Sequence, residues 1–137
     1  MAVSLSLTRP SSVRRGRAAV IALWAVQIGL AGMFLLAGGS KLLGAAPMVA
    51  LFSVIGIGQW FRYVTGLVEV GSAVALLVPA FVVFGALALV PTMIGAILAQ
   101  VFIVGDSAVP PAVLLVGVAV VIWARRDELP LRRPTLQ

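Results

Sequence analysis

The sequence predicts an all-α integral membrane bundle of four transmembrane helices, with a short interfacial or re-entrant segment between helices 1 and 2. Three observations predict it. Hydrophobic residues make up 62% of the 137 residues and charged residues only 10%, with a mean hydropathy of +1.19. A soluble domain runs nearer half apolar and a quarter charged, so this composition cannot supply its polar shell. Long, almost uncharged apolar runs recur, and a bilayer-spanning helix needs about 20 such residues, so the length holds roughly four crossings and no sizeable soluble domain. The basic residues flank the apolar body: Arg9, Arg14, Arg15 and Arg17 precede it, and Arg125, Arg126, Arg132 and Arg133 follow it. Cytoplasmic segments collect Arg and Lys, so an even number of crossings places both clusters on one cytoplasmic side, where three would strand one of them outside.

Residues 1–17 form a cytoplasmic Arg-rich tail without apolar periodicity. The four-helix transmembrane domain covers 18–124. Its first span runs from residue 18 to about 37 and is expected to end at the helix-breaking Gly38-Gly39 pair. A charged leader before an apolar stretch resembles a signal peptide, but this stretch is longer than the usual apolar region and further spans follow, which reads as a retained helix. Residues 42–59 are apolar but broken by Gly44, Pro47, Gly56 and Gly58. That segment is too interrupted for a straight crossing and too hydrophobic for a free loop, so it reads as a short helix over 48–55 lying on the bundle. The second span starts at the aromatic and cationic cluster of Trp60, Phe61, Arg62 and Tyr63 and runs to about residue 78. Pro79 permits only a tight connection to the third, 81–104, which Pro91 should kink. Gly105-Asp106-Ser107 and Pro110-Pro111 make the next turn, and the fourth span covers 112–123, short unless it begins at Val109. Residues 125–137 form a cytoplasmic Arg/Pro-rich tail.

The chain has no cysteine and no histidine. Disulfides, thiolate or imidazole metal ligation, the usual haem ligands, Cys nucleophiles and His-based acid–base schemes are therefore excluded, and no metal site is expected. A net charge of +6 invites a nucleic-acid reading. Its arginines cluster at the ends of the apolar body without interleaved aromatics, so they fit the bilayer and not nucleic acid.

Helical spacing puts Arg62, Thr65, Gly66, Glu69, Ser72 and Ala73 on one polar, small-residue stripe that must face protein rather than lipid. Glu69 is the one acid inside an apolar helix body. An unpaired carboxylate there costs at least a few kcal/mol, so it needs a partner, and Lys41 and Arg62 are the available cations. Glu69 then has two readings. It pairs with one of them and pins the bundle, or it protonates or hydrogen-bonds a ligand and is the one candidate catalytic acid. Gln27, Thr92 and Gln100 read first as hydrogen-bond glue between helices, with Gln100 also a candidate pocket group. Ala25 with Gly29, and Gly95 with Ala99, have the spacing of close helix packing or of a homo-oligomer face. Trp60, Phe61 and Tyr63 serve an interfacial belt or stack a ring-shaped ligand. The candidate ligand-binding set is Lys41, Trp60, Arg62, Tyr63, Glu69 and Gln100.

Gly38-Gly39-Ser40-Lys41-Leu42, the broken segment after it, Gly58-Gln59-Trp60-Phe61-Arg62-Tyr63 and Gly66-Leu67-Val68-Glu69-Val70-Gly71 together resemble the DoxX-like family of small four-helix bacterial membrane proteins. The likeness runs from about Ile28 to the end of the third span. It implies a compact, multi-pass four-helix bundle in a bacterial plasma membrane, where the arginine placement puts both termini on the cytoplasmic side. It also implies a role like that of members resembling the small subunit of a terminal quinol oxidase or of a thiosulfate:quinone oxidoreductase. On this reading the chain is a non-catalytic subunit or scaffold of an oxidoreductase system. It has no covalent cofactor, takes a quinone or lipid at the Glu/Arg/Lys site, and docks a soluble or membrane redox partner. The alternative is a small proton-coupled transporter, or a lipid-modifying isomerase or cyclase, that uses Glu69 as acid and base.

Overall fold

The computed structural model describes residues 16–128, and every element among them is helical. Of the two Arg-rich tails expected at 1–17 and 125–137, only 16–17 and 125–128 fall within the described residues. Helix α1 is Arg17–Leu42, α2 Ala46–Ile55, α3 Gln59–Leu77, α4 Val82–Ala99 and α5 Val109–Ala124; α4 passes directly into a π-helical turn, Gln100–Val104. Arg17–Leu42, Gln59–Leu77 and Val82–Val104 are each long and apolar enough to cross a membrane. The 16 residues of α5 reach about 24 Å, short of the roughly 30 Å hydrocarbon layer. The chain is a membrane protein on these helices, with three lengths that qualify as spans rather than the four expected.

Helices α1, α3, α4 and α5 pack side by side in ring order, while α2 lies against α3 and the π-helical turn. Two hydrogen bonds fix the directions. Gln27 near the start of α1 donates to Leu76 O near the end of α3, at 2.9 Å, and Arg62 at the start of α3 donates to Lys41 O at the end of α1. The two helices are therefore antiparallel. Arg125, just past α5, donates to Gln27 at 2.7 Å, which returns the chain to the end where α1 begins.

The first helix does not stop at Gly38-Gly39; it continues to Leu42. The reason is packing. A Cβ on Gly38 would lie 2.8 Å from Val70 Cγ2 and 2.9 Å from Gly66 O, and one on Gly66 would lie 3.1 Å from Gly38 O. The backbones of α1 and α3 meet at this pair, and close approach offsets the roughly 1 kcal/mol that a mid-helix glycine costs. Gly85 serves the same purpose between α4 and α3, where a Cβ would meet Ser72 O at 2.9 Å. The spacings expected to pack helices do not: Gly29 and Gly95 face open space. What ends α1 is Gly44, whose φ of 71° supplies the left-handed step after the cap residue Leu43. Gly56, at φ 81°, ends α2 in the same way. Helix α4 runs through Pro91, and its departure from α geometry comes later, at Gln100.

The solid core fills the half of the bundle nearer Gln27. Leu30, Ala31 and Phe34 of α1 pack there against Leu76, Leu89, Val118 and Val121 of the other helices. At this end the Gln27 side chain joins three elements: its amide N–H reaches one of the last carbonyls of α3, and its oxygen accepts from Arg125. Leu76 O is among the last carbonyls of α3, which have no intrahelical donor, and with both of these bonds made the buried amide of Gln27 is not left unsatisfied. Gln27 is thus the glue its polarity suggested. Thr92 is not, because its hydroxyl returns to Ala88 O in its own helix. Arg125, expected in a tail, is buried at the bundle end, with its guanidinium 5.4 Å from the Trp24 ring.

Candidate functional site

The buried stripe on α3 is the one its spacing implies: Arg62, Gly66, Glu69, Ser72, Ala73 and Leu76 are all buried. Its acid is paired. Lys41 Nζ lies 2.8 Å from Glu69 Oε2 and 3.1 Å from Oε1, and the two side chains are 13% and 3% exposed. Both bonds are charge-assisted, and one ammonium spans both carboxylate oxygens. Lys41 reaches Glu69 because α1 continues three residues past the glycine pair.

Arg62 does other work. Its Nη1 donates to Lys41 O, so it caps the end of α1, and its Nε donates to Gln59 Oε1 at 2.8 Å. Gln59 Nε2 in turn reaches Val49 O and Ser53 Oγ of α2, both at 3.1 Å. This relay ties α2 to the junction of α1 and α3, and Lys41 lies at its centre, its carbonyl held by Arg62 and its ammonium by Glu69. Gln59 belongs to the motif that carries the resemblance but was not among the candidate site residues. Its signal was its place three residues before Arg62 on the same helical face.

Between α2 and the four packed helices lies a cavity of about 770 Å³. Its walls are largely apolar, with Phe34, Phe52, Phe61, Met48 and Met93 among them. Few polar side chains reach it: Lys41 and Glu69 on one wall, Thr65, and Thr92 and Gln100 from the α4 side. Gln100 Oε1 is buried without a hydrogen-bond partner. A mostly apolar chamber with a few convergent polar groups is the usual form of a small-molecule site.

The six residues proposed from the sequence therefore separate. Lys41, Glu69 and Gln100 line the cavity. Arg62 lies beside it and holds its frame. Trp60 and Tyr63 point outward, 61% and 47% exposed. The Trp60 indole donates to Ile57 O at 3.2 Å, and Tyr63 stacks under the Arg62 guanidinium at 4.3 Å. Phe61, the aromatic between them, is the one that faces the cavity. The walls that helix spacing within α3 did not reveal come from α2 and from α4, elements brought together only by the chain's return.

Apolar helices of spanning length packed around a largely apolar cavity, with one buried ion pair in its wall, define a helical membrane protein. The chain belongs to the DoxX-like family, whose pattern it matches over residues 25–125. That match takes in all the cavity-lining residues and extends through α5, beyond the third span where the motif resemblance ended. No curated protein and no solved structure matches the chain.

Proposed function

We propose that this protein holds a quinone or a chemically related lipid in the cavity beneath α2, and serves as the small membrane subunit or scaffold of an oxidoreductase system. The observation that carries the reading is the cavity itself, an apolar chamber of about 770 Å³ with Lys41, Glu69 and Gln100 in its wall. A ring with an apolar tail suits Phe34, Phe52 and Phe61. A quinone carbonyl needs a donor, and Lys41 Nζ has three protons, of which Glu69 takes two. When bound, a quinone supplies two-electron redox chemistry that a chain without Cys or His lacks, while this chain's residues bind and orient it. Electrons would then pass to or from a partner protein.

The proposal includes the arrangement in the bilayer. Helix α5 completes a fourth crossing, tilted little and flanked by Trp123 at its end, and both Arg-rich ends face the cytoplasm of a bacterial plasma membrane. The Arg125 to Gln27 bond supports this, since it puts the end of α5 beside the start of α1.

The test is mass spectrometry of the small molecules that accompany the protein after gentle extraction into lipid discs, for wild type, Glu69→Gln and Ala96→Trp. Ala96 lines the cavity, and an indole there fills it. A quinone or defined lipid at stoichiometric amounts in wild type, lost in Ala96→Trp and reduced in Glu69→Gln, is the expected result. Equal retention in all three folded proteins refutes the site. Proton or substrate flux through liposomes that stops in Glu69→Gln would instead establish the carrier reading.

A further inference from the structure

The polar side chains that line the cavity are Lys41, Thr65, Glu69, Thr92 and Gln100. What each can offer a guest depends on the bonds it has already made. Thr65 Oγ1 donates to the carbonyls of Phe61 and Arg62, and Thr92 Oγ1 donates to that of Ala88, so both hydroxyl protons are used within their own helices. Glu69 takes two protons of Lys41, and its side chain is 3% exposed against 13% for the lysine. An ammonium has three protons, so Lys41 Nζ keeps one to give.

Gln100 is the one whose side chain bonds to nothing among the described residues. Its Oε1 is shut away, with neither a partner nor accessible surface. The end of the amide that a guest can meet is therefore Nε2, a group with two N–H donors. The backbone here departs from α geometry. Gln100 opens the π-helical turn Gln100–Val104, and its main-chain carbonyl accepts from Gly105 N at 2.8 Å and Asp106 N at 3.3 Å. Gly105, at φ 72°, makes that reversal possible. Such turns commonly mark functional positions, and this one carries an unused donor at the cavity wall.

We infer that the cavity selects an uncharged lipid whose head presents a carbonyl oxygen, and that Gln100 is a specificity-determining residue, its Nε2 donating to that carbonyl alongside the remaining proton of Lys41. The inference rests on the reading of the cavity as a lipid site and adds the chemistry of the head group and the second donor. Charge narrows the class first. Lys41 and Glu69 cancel, so a carboxylate or ammonium head would enter an apolar chamber without a counter-ion. A carbonyl is uncharged, only accepts, and brings no proton that the wall must satisfy. An analogue without the oxygen would cover both donors and leave them unmet. A site that hydrogen-bonds a ligand group rejects the analogue lacking it far more strongly than an apolar pocket discriminates by shape.

The experiment is competition against tritiated 2,3,5-trimethyl-6-nonyl-1,4-benzoquinone on the full chain in lipid discs, with empty discs as the blank. One competitor is the unlabelled quinone; another is 1-nonyl-2,4,5-trimethylbenzene, which keeps ring, methyls and tail and lacks both oxygens. Wild type should prefer the quinone by about 10- to 100-fold, and in Gln100→Leu and Gln100→Met that preference should fall by about 10-fold, the worth of one hydrogen bond whose loss leaves a covered donor. The infrared carbonyl stretch of the bound, isotope-labelled quinone should lie lower in wild type than in either variant, a change that a packing role for Gln100 would not produce. If one Gln100 variant does not fold by circular dichroism, the other decides. In alkaline buffer 4-nonylbenzoate should compete at least about 10-fold more weakly than 4′-nonylacetophenone, its uncharged counterpart. The acetophenone also assigns the source, a quinone where the quinone competes better and a single ketone where the acetophenone does. In Ala96→Trp saturable binding should vanish. A quinone preference and carbonyl stretch that survive in the folded Gln100 variants, or equal competition by benzoate and acetophenone, overturn the inference and leave the cavity as a site. Absence of saturable binding to wild type, or binding unchanged in Ala96→Trp, overturns the cavity reading as well.

Discussion

Replacing Lys41 by Met leaves a Glu69 side chain that is 3% exposed without the two hydrogen bonds it makes in the described structure. At 2.8 Å the attraction between the unit charges is about 6 kcal/mol for an effective dielectric of about 20. Taking two ions out of water costs several kcal/mol each, so the intact pair contributes little net stability. Breaking it from one side is another matter. Lys41→Met should destabilise the bundle by about 3–5 kcal/mol, because a buried charge is left uncompensated. Glu69→Leu should cost less, about 1–3 kcal/mol, since the longer, 13% exposed lysine can carry its ammonium toward the end of α1 and water. The double variant should return to within about 1 kcal/mol of wild type, as paired ions replaced by apolar groups commonly do. Together these give a coupling of about 3 kcal/mol or more. The assay is SDS titration in mixed micelles, followed by helical circular dichroism. Additive single effects, with coupling below about 1 kcal/mol, would refute the argument that each ion compensates the other's burial.

Glycine positions offer a sharp contrast. Gly38→Ala puts a methyl group 2.8–3.0 Å from atoms of α3 and should cost about 1–3 kcal/mol, whereas Gly29→Ala meets open space and should be neutral or stabilising; the same SDS midpoints decide. Gln27→Leu removes a donor from Leu76 O and an acceptor from Arg125, with an expected loss of about 1–3 kcal/mol and no change in ligand retention, since Gln27 lies away from the cavity. Gln59→Leu cuts the relay from Arg62 to α2. Amide hydrogen exchange over Ala46–Ile55 should then quicken while the α1 and α4 cores keep their protection.

The composition and the placement of charge determined much about this protein. A body with four acids and ten basic residues in 137, most of them at its ends, has to be membrane helices, because only lipid accommodates so much apolar surface. Periodicity then picked the buried face of α3, since a polar stripe of Thr65, Glu69 and Ser72 stands out on an apolar helix. It could not pick the partner face on α1, α4 or α5. Those helices carry few polar residues, so their sequence pattern does little to fix rotation about their axes, and Gly29 and Gly95 looked as suited to close packing as Gly38 and Gly85. Only the fold, with backbones meeting at Gly38 and Gly66, shows which glycines are needed.

The site divides in the same way. That Glu69 needs a cation follows from the cost of a lone charge in lipid, but both Lys41 and Arg62 met that need on paper. The choice between them was decided by where α1 ends. A helix stopped at Gly38-Gly39 would have left Lys41 in a loop; extended to Leu42, it delivers the ammonium to the carboxylate and its own carbonyl to Arg62. The cavity and its unpaired Gln100 lie further from the sequence, because they are made by elements distant along the chain, α2 and the π-helical turn, closing over a space that no single helix encloses. Local chemistry determines which side chains must find partners; the path of the chain in three dimensions decides which partners, and what room is left between them.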